Sequence, residues 1–312
     1  MKYARPSDLG IVTSYFNPCG YRTRAANFER FVEPIRAAGI PIVIVEACFE
    51  GQGATLPEHH GSLKVRARDV MWQKERLLDL GTGWLPGHCT KVAWLDADVL
   101  FEDEDWAAAT SAALETAVVV QPFAEVVRLS RGAEAPRPGD DVFESFGAVY
   151  VNRPEELELG KFERHGHTGF AWAARRDVLA RHGFYDACIA GSGDHMMAHA
   201  FAGDSTSPCI ARIVGRGGRH LAHFRRWSQK LHEEVGAALS YTPGRLLHLW
   251  HGSMENRRYS QRNKELFDLA FDPKQDIRIS DTGGWEWASE KPELHAWAKR
   301  YFAERREDEE EP

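Results

Sequence analysis

The sequence predicts an α/β protein: a mostly parallel, Rossmann-like open sheet flanked by helices, followed by a less regular second half. Three observations predict it. A β-branched run at 40–45 follows a stretch with helical spacing, with Gly39 between them. A second apolar run at 91–95 follows another helix-like stretch. The chain has 312 residues, 43 % of them hydrophobic, enough for one large core without a disulfide or metal staple.

Taken in order, residues 10–14 form an apolar run that suits a first buried strand. Residues 24–38 place Phe28, Phe31, Val32 and Ile35 on one helical face, with Pro34 marking a kink or an early stop. The run at 40–45 ends at Glu46, 51–61 reads as a loop, 63–65 as a short strand and 70–80 as a helix. The run at 91–95 then delivers Asp96-Ala97-Asp98. Strands alternating with helices imply right-handed crossovers and a parallel sheet, whose ligands bind at the carboxyl ends of the strands. Ser14, Glu46 and Asp96 fall at those ends. Further on, 131–141 is a surface loop by composition; 175–182, 194–201 and 227–238 have helical character; 246–250 reads as a strand before His251. The organisation expected is one domain in two halves, 1–110 and 111–303, with a charged, frayed tail at 304–312.

The formal net charge of -7 argues against a protein that coats nucleic acid non-specifically, though not against a local basic groove. The five cysteines form no C-x-x-C pattern and read as reduced thiols of a cytoplasmic protein. The first residues lack the apolar stretch of a signal peptide, and no run is long enough for a membrane span.

Asp96 and Asp98 carry the chemistry. At i and i+2 on extended backbone they point to one side and reach one cation. Two carboxylates between the apolar runs Val92-Ala93-Trp94-Leu95 and Val99-Leu100-Phe101 are costly unless something compensates them. Oxygen ligands of this kind suit Mg²⁺ or Mn²⁺.

The segment Trp94-Leu95-Asp96-Ala97-Asp98-Val99 resembles the D-x-D segment of GT-A-fold, metal-dependent glycosyltransferases. Thr13-Ser14-Tyr15-Phe16-Asn17 resembles the family's first strand and the loop that holds the nucleotide. The segment from Gly166 to Trp172 (Gly166-His167-Thr168-Gly169-Phe170-Ala171-Trp172) looks like its acceptor-side loop, and Trp250-His251-Gly252 like its late metal-binding histidine. The resemblance covers about residues 8 to 265, and it implies a GT-A-like fold, a nucleotide-sugar donor (a UDP-sugar first) and Mn²⁺ or Mg²⁺. It implies that Asp98 binds the metal, Asp96 the ribose or a metal-bound water, and His251 supplies a nitrogen ligand. Thr13, Ser14, Tyr15, Asn17 and Glu46 fall on the nucleotide side. Arg68, Gln73 and Lys74 are further candidates to face the nucleotide, Lys74 reading equally as a solvated helix residue. The departure is Gly193-Asp194, where the family commonly has Glu-Asp.

Asp194 is the candidate general base for the acceptor hydroxyl, and equally the cap of the helix that follows. His167, Gly169 and Trp172 are the acceptor-side candidates. His195 and His199, at i and i+4, look like half of a zinc site without the Glu of H-E-x-x-H, and read as core histidines. Two basic clusters, one containing Arg225 and Arg226 and one containing Arg258, suggest a polyanionic acceptor. The acceptors open are a hydroxymethylated DNA base, as in bacteriophage DNA-modifying glycosyltransferases, and a glycan, lipid or small molecule. Two other classes stay open: a haloacid-dehalogenase-type phosphatase, which also uses D-x-D, and a non-catalytic nucleotide- or carbohydrate-binding protein.

Overall fold

The run Leu9–Phe16 forms a strand in which seven of eight residues are buried, because both of its faces are covered. The computed structural model describes residues 3–158 and 160–309. Its strands are β1 Leu9–Phe16, β2 Ile42–Phe49, β3 Leu63–Ala67, β4 Lys91–Leu95, β5 Val99–Phe101, β6 Val119–Gln121, β7 Glu125–Arg128, β8 Asp141–Glu144, β9 Ala171–Arg175, β10 Leu239–Tyr241, β11 Arg245–His248, β12 Ile277–Ile279 and β13 Trp285–Trp287.

Seven strands form the central sheet in the order β10-β6-β9-β4-β1-β2-β3. It is a mixed, mainly parallel sheet, in which β9 alone runs antiparallel to its neighbours β4 and β6. Alternate side chains feed two layers. Ile11, Ile44, Ala93 and Leu95 meet Phe28, Phe31, Val32 and Ile35 of helix Arg22–Ala37 on one face. Val12, Val45, Val92 and Trp94 meet Leu77 and Leu78 of helix Lys74–Thr82 on the other. Helix Gly193–Phe201 and helix Arg219–Val235 complete that second layer. Gly81 lets the helix lie close to the sheet, since a Cβ there would stand 2.5 Å from Val12 Cγ1. That contact fixes Lys74, at the start of this helix, near the carboxyl ends of the strands.

A second sheet, β5-β11-β7-β8, begins where the chain leaves β4. Val99 of β5 pairs with His248 of β11, which brings the segment after β4 beside the segment leading to His251. Helix Arg22–Ala37 runs through Pro34 for another turn, and the helix expected at 70–80 starts at Lys74. In the latter case the preceding residues are held elsewhere: Trp72 N donates to Ile189 O, and Gln73 bonds both backbone groups of Trp285.

The frayed tail is a correction. Arg305 and Glu307 are buried, because Glu307 accepts from Arg24 and Arg305 while Asp308 accepts from the backbone N–H groups of Arg22 and Thr23. Residues 310–312 lie outside those described. Among the described residues, no helix is long and apolar enough to cross a membrane.

Candidate active site

The sequence places two aspartates where β4 ends, and the backbone there turns instead of staying extended. Asp96 N donates to Phe170 O at 2.7 Å, and Leu249 N donates to Asp98 O at 2.8 Å, so the turn is pinned to the β9 and β11 sides at once. The two carboxylates therefore diverge. Asp96 pairs with Lys74 Nζ, which also donates to Asp194 Oδ2 at 2.6 Å. Asp98 Oδ2 lies 3.0 Å from His251 Nε2, and Asp98 Oδ1 lies 3.9 Å from His248 Nε2. The expectation that both aspartates grip one cation is corrected: Asp98 belongs to the His248–His251 cluster, and Asp96 belongs to the lysine.

Both groups open into one cavity of about 990 Å³. Asp98, His248 and His251 offer ligand atoms within 4.8 Å of one another. The imidazole nitrogens Nε2 of His248 and His251 face each other at 3.2 Å, and Asp98 Oδ1 is buried without a hydrogen-bond partner. This donor set fits a divalent cation, and its two imidazoles suit Mn²⁺ better than Mg²⁺. Burial pushes Asp98 up, but His251, His248 and Arg24 outweigh it and hold the carboxyl well below its usual range.

The other group is short of positive charge. Burial raises Asp96 to about 6 against the pull of Lys74, with Asp194 and Asp98 adding to the rise. Burial likewise raises Glu75 to about 8, with Asp194 adding and Lys74 opposing. Lys74 is held above its ordinary value: burial lowers it, and Asp194, Asp96 and Glu75 more than compensate. Glu75 also explains Gly193. A Cβ at 193 would collide with the Glu75 carboxyl, so only glycine leaves room for this buried acid beside Asp194.

Asp194 is the second residue of its helix, after Ser192 at the cap and Gly193, so the reading of it as the cap is also corrected. Its Oδ1 is buried and unpartnered, and it lines the cavity. Ser14, Tyr15, Lys74, Asp96, His167 and Gly169 all line the cavity. Gly169 keeps the way to Asp194 open, since its Cβ would stand 3.2 Å from His167 Cε1 and 3.8 Å from Asp194 Oδ2.

Several expected residues do other work. Thr13 donates to Leu95 O at 2.8 Å, tying β1 to β4. Asn17 folds the loop after β1 through both backbone groups of Tyr21. Glu46 is fully buried, and its carboxylate accepts from Thr55 N and Oγ1, Leu56 N and Ser62 Oγ, so it organises the 51–62 loop and does not face the cavity. Gln73 serves β13, and Arg68 is exposed outside the cavity. Trp172 packs in the core with its Nε1 on Thr168 O. Arg225 and Arg226 are exposed on a helix away from the cavity, and Arg258 is paired with Glu265 and Glu304.

The residues missed are His248, Glu75 and Arg128, and within the second basic cluster it is Arg257, not Arg258, that faces the cavity. Arg257, adjacent to Arg258, donates to His251 Nε2 at 2.9 Å. Arg128 donates to His167 Nε2 at 2.9 Å. Both arginines line the cavity, and both have a buried Nε without a partner. A repeated His at 248 and 251 was the one local signal available for the first of these.

No family model matches the chain, and no curated protein matches it. Among solved structures it is similar to the catalytic domain of Drosophila β1,4-galactosyltransferase 7 in complex with xylobiose, at 10 % identity and a TM-score of 0.44, covering 95 % of this chain and 98 % of that one. It is similar to mannosyl-3-phosphoglycerate synthase from Rubrobacter xylanophilus, at 10 % identity and a TM-score of 0.45, covering 89 % and 83 %. It is also similar to glucosyl-3-phosphoglycerate synthase from Mycobacterium tuberculosis in complex with Mg²⁺ and uridine diphosphate, at 11 % identity and a TM-score of 0.41, covering 90 % and 87 %.

Proposed function

We propose that the chain is a metal-dependent glycosyltransferase that moves a sugar from a nucleoside-diphosphate donor, a UDP-sugar first, to an acceptor hydroxyl. One observation carries this reading: the Asp98–His248–His251 cluster shares a cavity with Arg128 and Arg257, two guanidiniums with buried, unpartnered Nε atoms. A buried carboxylate–imidazole set beside uncompensated cations suits a cation and the diphosphate it accompanies. When bound, the cation neutralises charge that builds on the leaving diphosphate.

The chain's own residues supply the rest. Ser14 and Tyr15 line the donor side, and Arg257 and Arg128 attract the diphosphate. Lys74 holds Asp194 by one oxygen, leaving Oδ1 to accept the proton of the acceptor hydroxyl. The acceptor oxygen bonds to the anomeric carbon, the carbon–phosphate oxygen bond breaks, and the proton rests on Asp194. In this reading the configuration inverts.

The acceptor enters between Phe143, Phe162, His167 and Arg212. A cavity of this size holds a nucleotide-sugar and a small acceptor. Only part of the two basic clusters reaches it, namely Arg212, Arg257 and Arg262, while Lys264, Arg219 and Arg258 are paired with Asp268, Asp272 and Glu304. This favours a glycan or small-molecule acceptor over a DNA base. The D-x-D pair follows the fourth strand and Asp96 is locked to Lys74, which disfavours a phosphatase nucleophile.

A thermal-shift series of uridine, guanosine, adenosine and cytidine diphosphates, with and without Mn²⁺, tests the donor. A rise in melting temperature is expected with uridine diphosphate only when Mn²⁺ is present. No rise with any of the diphosphates overturns the reading. Rises without release of nucleoside diphosphate from any nucleotide-sugar and a panel of sugar acceptors leave a binding protein instead.

A further inference from the structure

We propose that His165, His195, His199 and Cys209 form a second metal site, closed and of the zinc type, separate from the Asp98 cluster. Each offers one ligand atom, these atoms lie within 4.8 Å of one another, and all four residues are buried. A tetrahedral zinc site with bonds of about 2.0–2.3 Å places its ligand atoms about 3.4–3.8 Å apart, so a small contraction completes it.

The polar inventory of the pocket points to a ligand. The Nε2 atoms of His165, His195 and His199 are all buried without a hydrogen-bond partner. Their other nitrogens are engaged: His165 Nδ1 with Gly166 O at 2.8 Å, His195 Nδ1 with Thr168 Oγ1 at 3.3 Å, His199 Nδ1 with Asp204 Oδ2 at 3.1 Å. Metal-bound histidines are oriented in this way, by a carbonyl, a hydroxyl or a carboxylate on the far nitrogen. The walls are aromatic and offer no alternative partner: Phe146 lies against His165 and His199, and Phe162 against His195. Three orphaned nitrogens in such surroundings each carry a desolvation cost that a cation removes. Binding releases a proton from Cys209, and the thiolate with Asp204 balances a divalent charge.

Four protein ligands leave no open position, so the site is structural rather than catalytic. It ties three segments together: the loop before β9, the helix that carries Asp194, and helix Pro208–Val214. His195 directly follows Asp194 and lines the cavity with His165, so the metal braces the part of the wall next to Asp194. The sequence showed only the His195–His199 half, because His165 and Cys209 arrive from separate segments.

The test uses the full chain, loaded with Zn²⁺ and dialysed against metal-free buffer, with metal counted by elemental analysis. Roughly one zinc per chain is expected to remain in the wild type and in Asp98→Ala, and to fall near zero in Cys209→Ser. Loading with Co²⁺ instead should give the thiolate charge-transfer band and the strong visible bands of a tetrahedral site, the former absent from Cys209→Ser. The wild-type Co²⁺ spectrum decides the matter even if that variant fails to fold. Zinc lost on Asp98→Ala, no retained zinc, or a cobalt spectrum without the thiolate band overturns the proposal.

Discussion

Lys74 Nζ donates to Asp194 Oδ2 at 2.6 Å from a position almost sealed from water. The same ammonium pairs with Asp96, so it joins the turn after β4 to helix Gly193–Phe201. Lys74→Met should leave Asp96, Asp194 and Glu75 without the cation they share, costing about 3–5 kcal/mol at pH 8 by denaturant unfolding. The loss should shrink at pH 5, where Asp96 and Glu75, raised to about 6 and about 8, take up protons. An equal loss at both values would show that packing of the lysine stem, not its charge, sets the cost.

Glu75 and Asp96 are both raised above the ordinary carboxylate range, chiefly by burial. In the window from about pH 4 to about pH 8 the folded chain therefore holds more protons on these groups than the unfolded chain, so their contribution to stability falls as pH rises. Glu75→Gln removes the larger part of that slope. Its melting temperature should exceed the wild type's at pH 8 and converge with it near pH 5. A variant less stable than the wild type at pH 8 would mean that the Glu75 carboxylate is needed charged.

Asp98 carries the donor reading. Asp98→Ala should keep the far-ultraviolet circular dichroism of the wild type, lose the Mn²⁺-dependent shift with uridine diphosphate, and lower turnover about 10³-fold or more, as removal of a main electrostatic clamp does. Normal activity at normal metal dependence would sink the assignment.

Glu46 provides the contrast. Its carboxylate is enclosed by Thr55, Leu56 and Ser62. Glu46→Ala should cost about 3 kcal/mol by leaving buried donors unpaired. The surviving folded fraction should keep its KM for the donor, measured at low temperature. A selective rise in that KM would return Glu46 to the nucleotide side.

Arg225→Ala with Arg226→Ala should change neither turnover nor stability beyond about 0.5 kcal/mol, as expected of exposed residues outside the cavity. A large loss of turnover would revive a polyanionic acceptor.

Local patterns made the first half of the fold legible. The apolar runs at β1, β2 and β4 are buried on both faces, so their composition alone marks them. Asp96, Asp98, Asp194 and His251 were legible as candidates for the same reason: each sits beside a recognisable apolar run or glycine. Their division of labour was not. The rule that i and i+2 face one way assumes extended backbone, and the chain turns at 96–98. Glu46 and Thr13 were misread because β1 and β2 run on to Phe16 and Phe49, so both residues lie inside strands and not at the ends where ligands bind. Arg257 and Arg258 are adjacent in sequence, and only the left-handed backbone at Arg258 decides which one faces inward.

Arg24 and Glu307 are 283 residues apart, and Glu307 Oε2 lies 3.6 Å from His251 Nδ1. A carboxylate behind His251 therefore comes from a segment far downstream of the sheet that carries the Asp98–His248–His251 cluster. During synthesis the sheet, the turn and both histidines emerge before it does. A growing chain can fold its core early, yet the electrostatic frame around His251 must wait until the segment that carries Glu307 has been made. That order leaves the pocket around Asp98 and His251 without its outer carboxylate while the sheet is already in place.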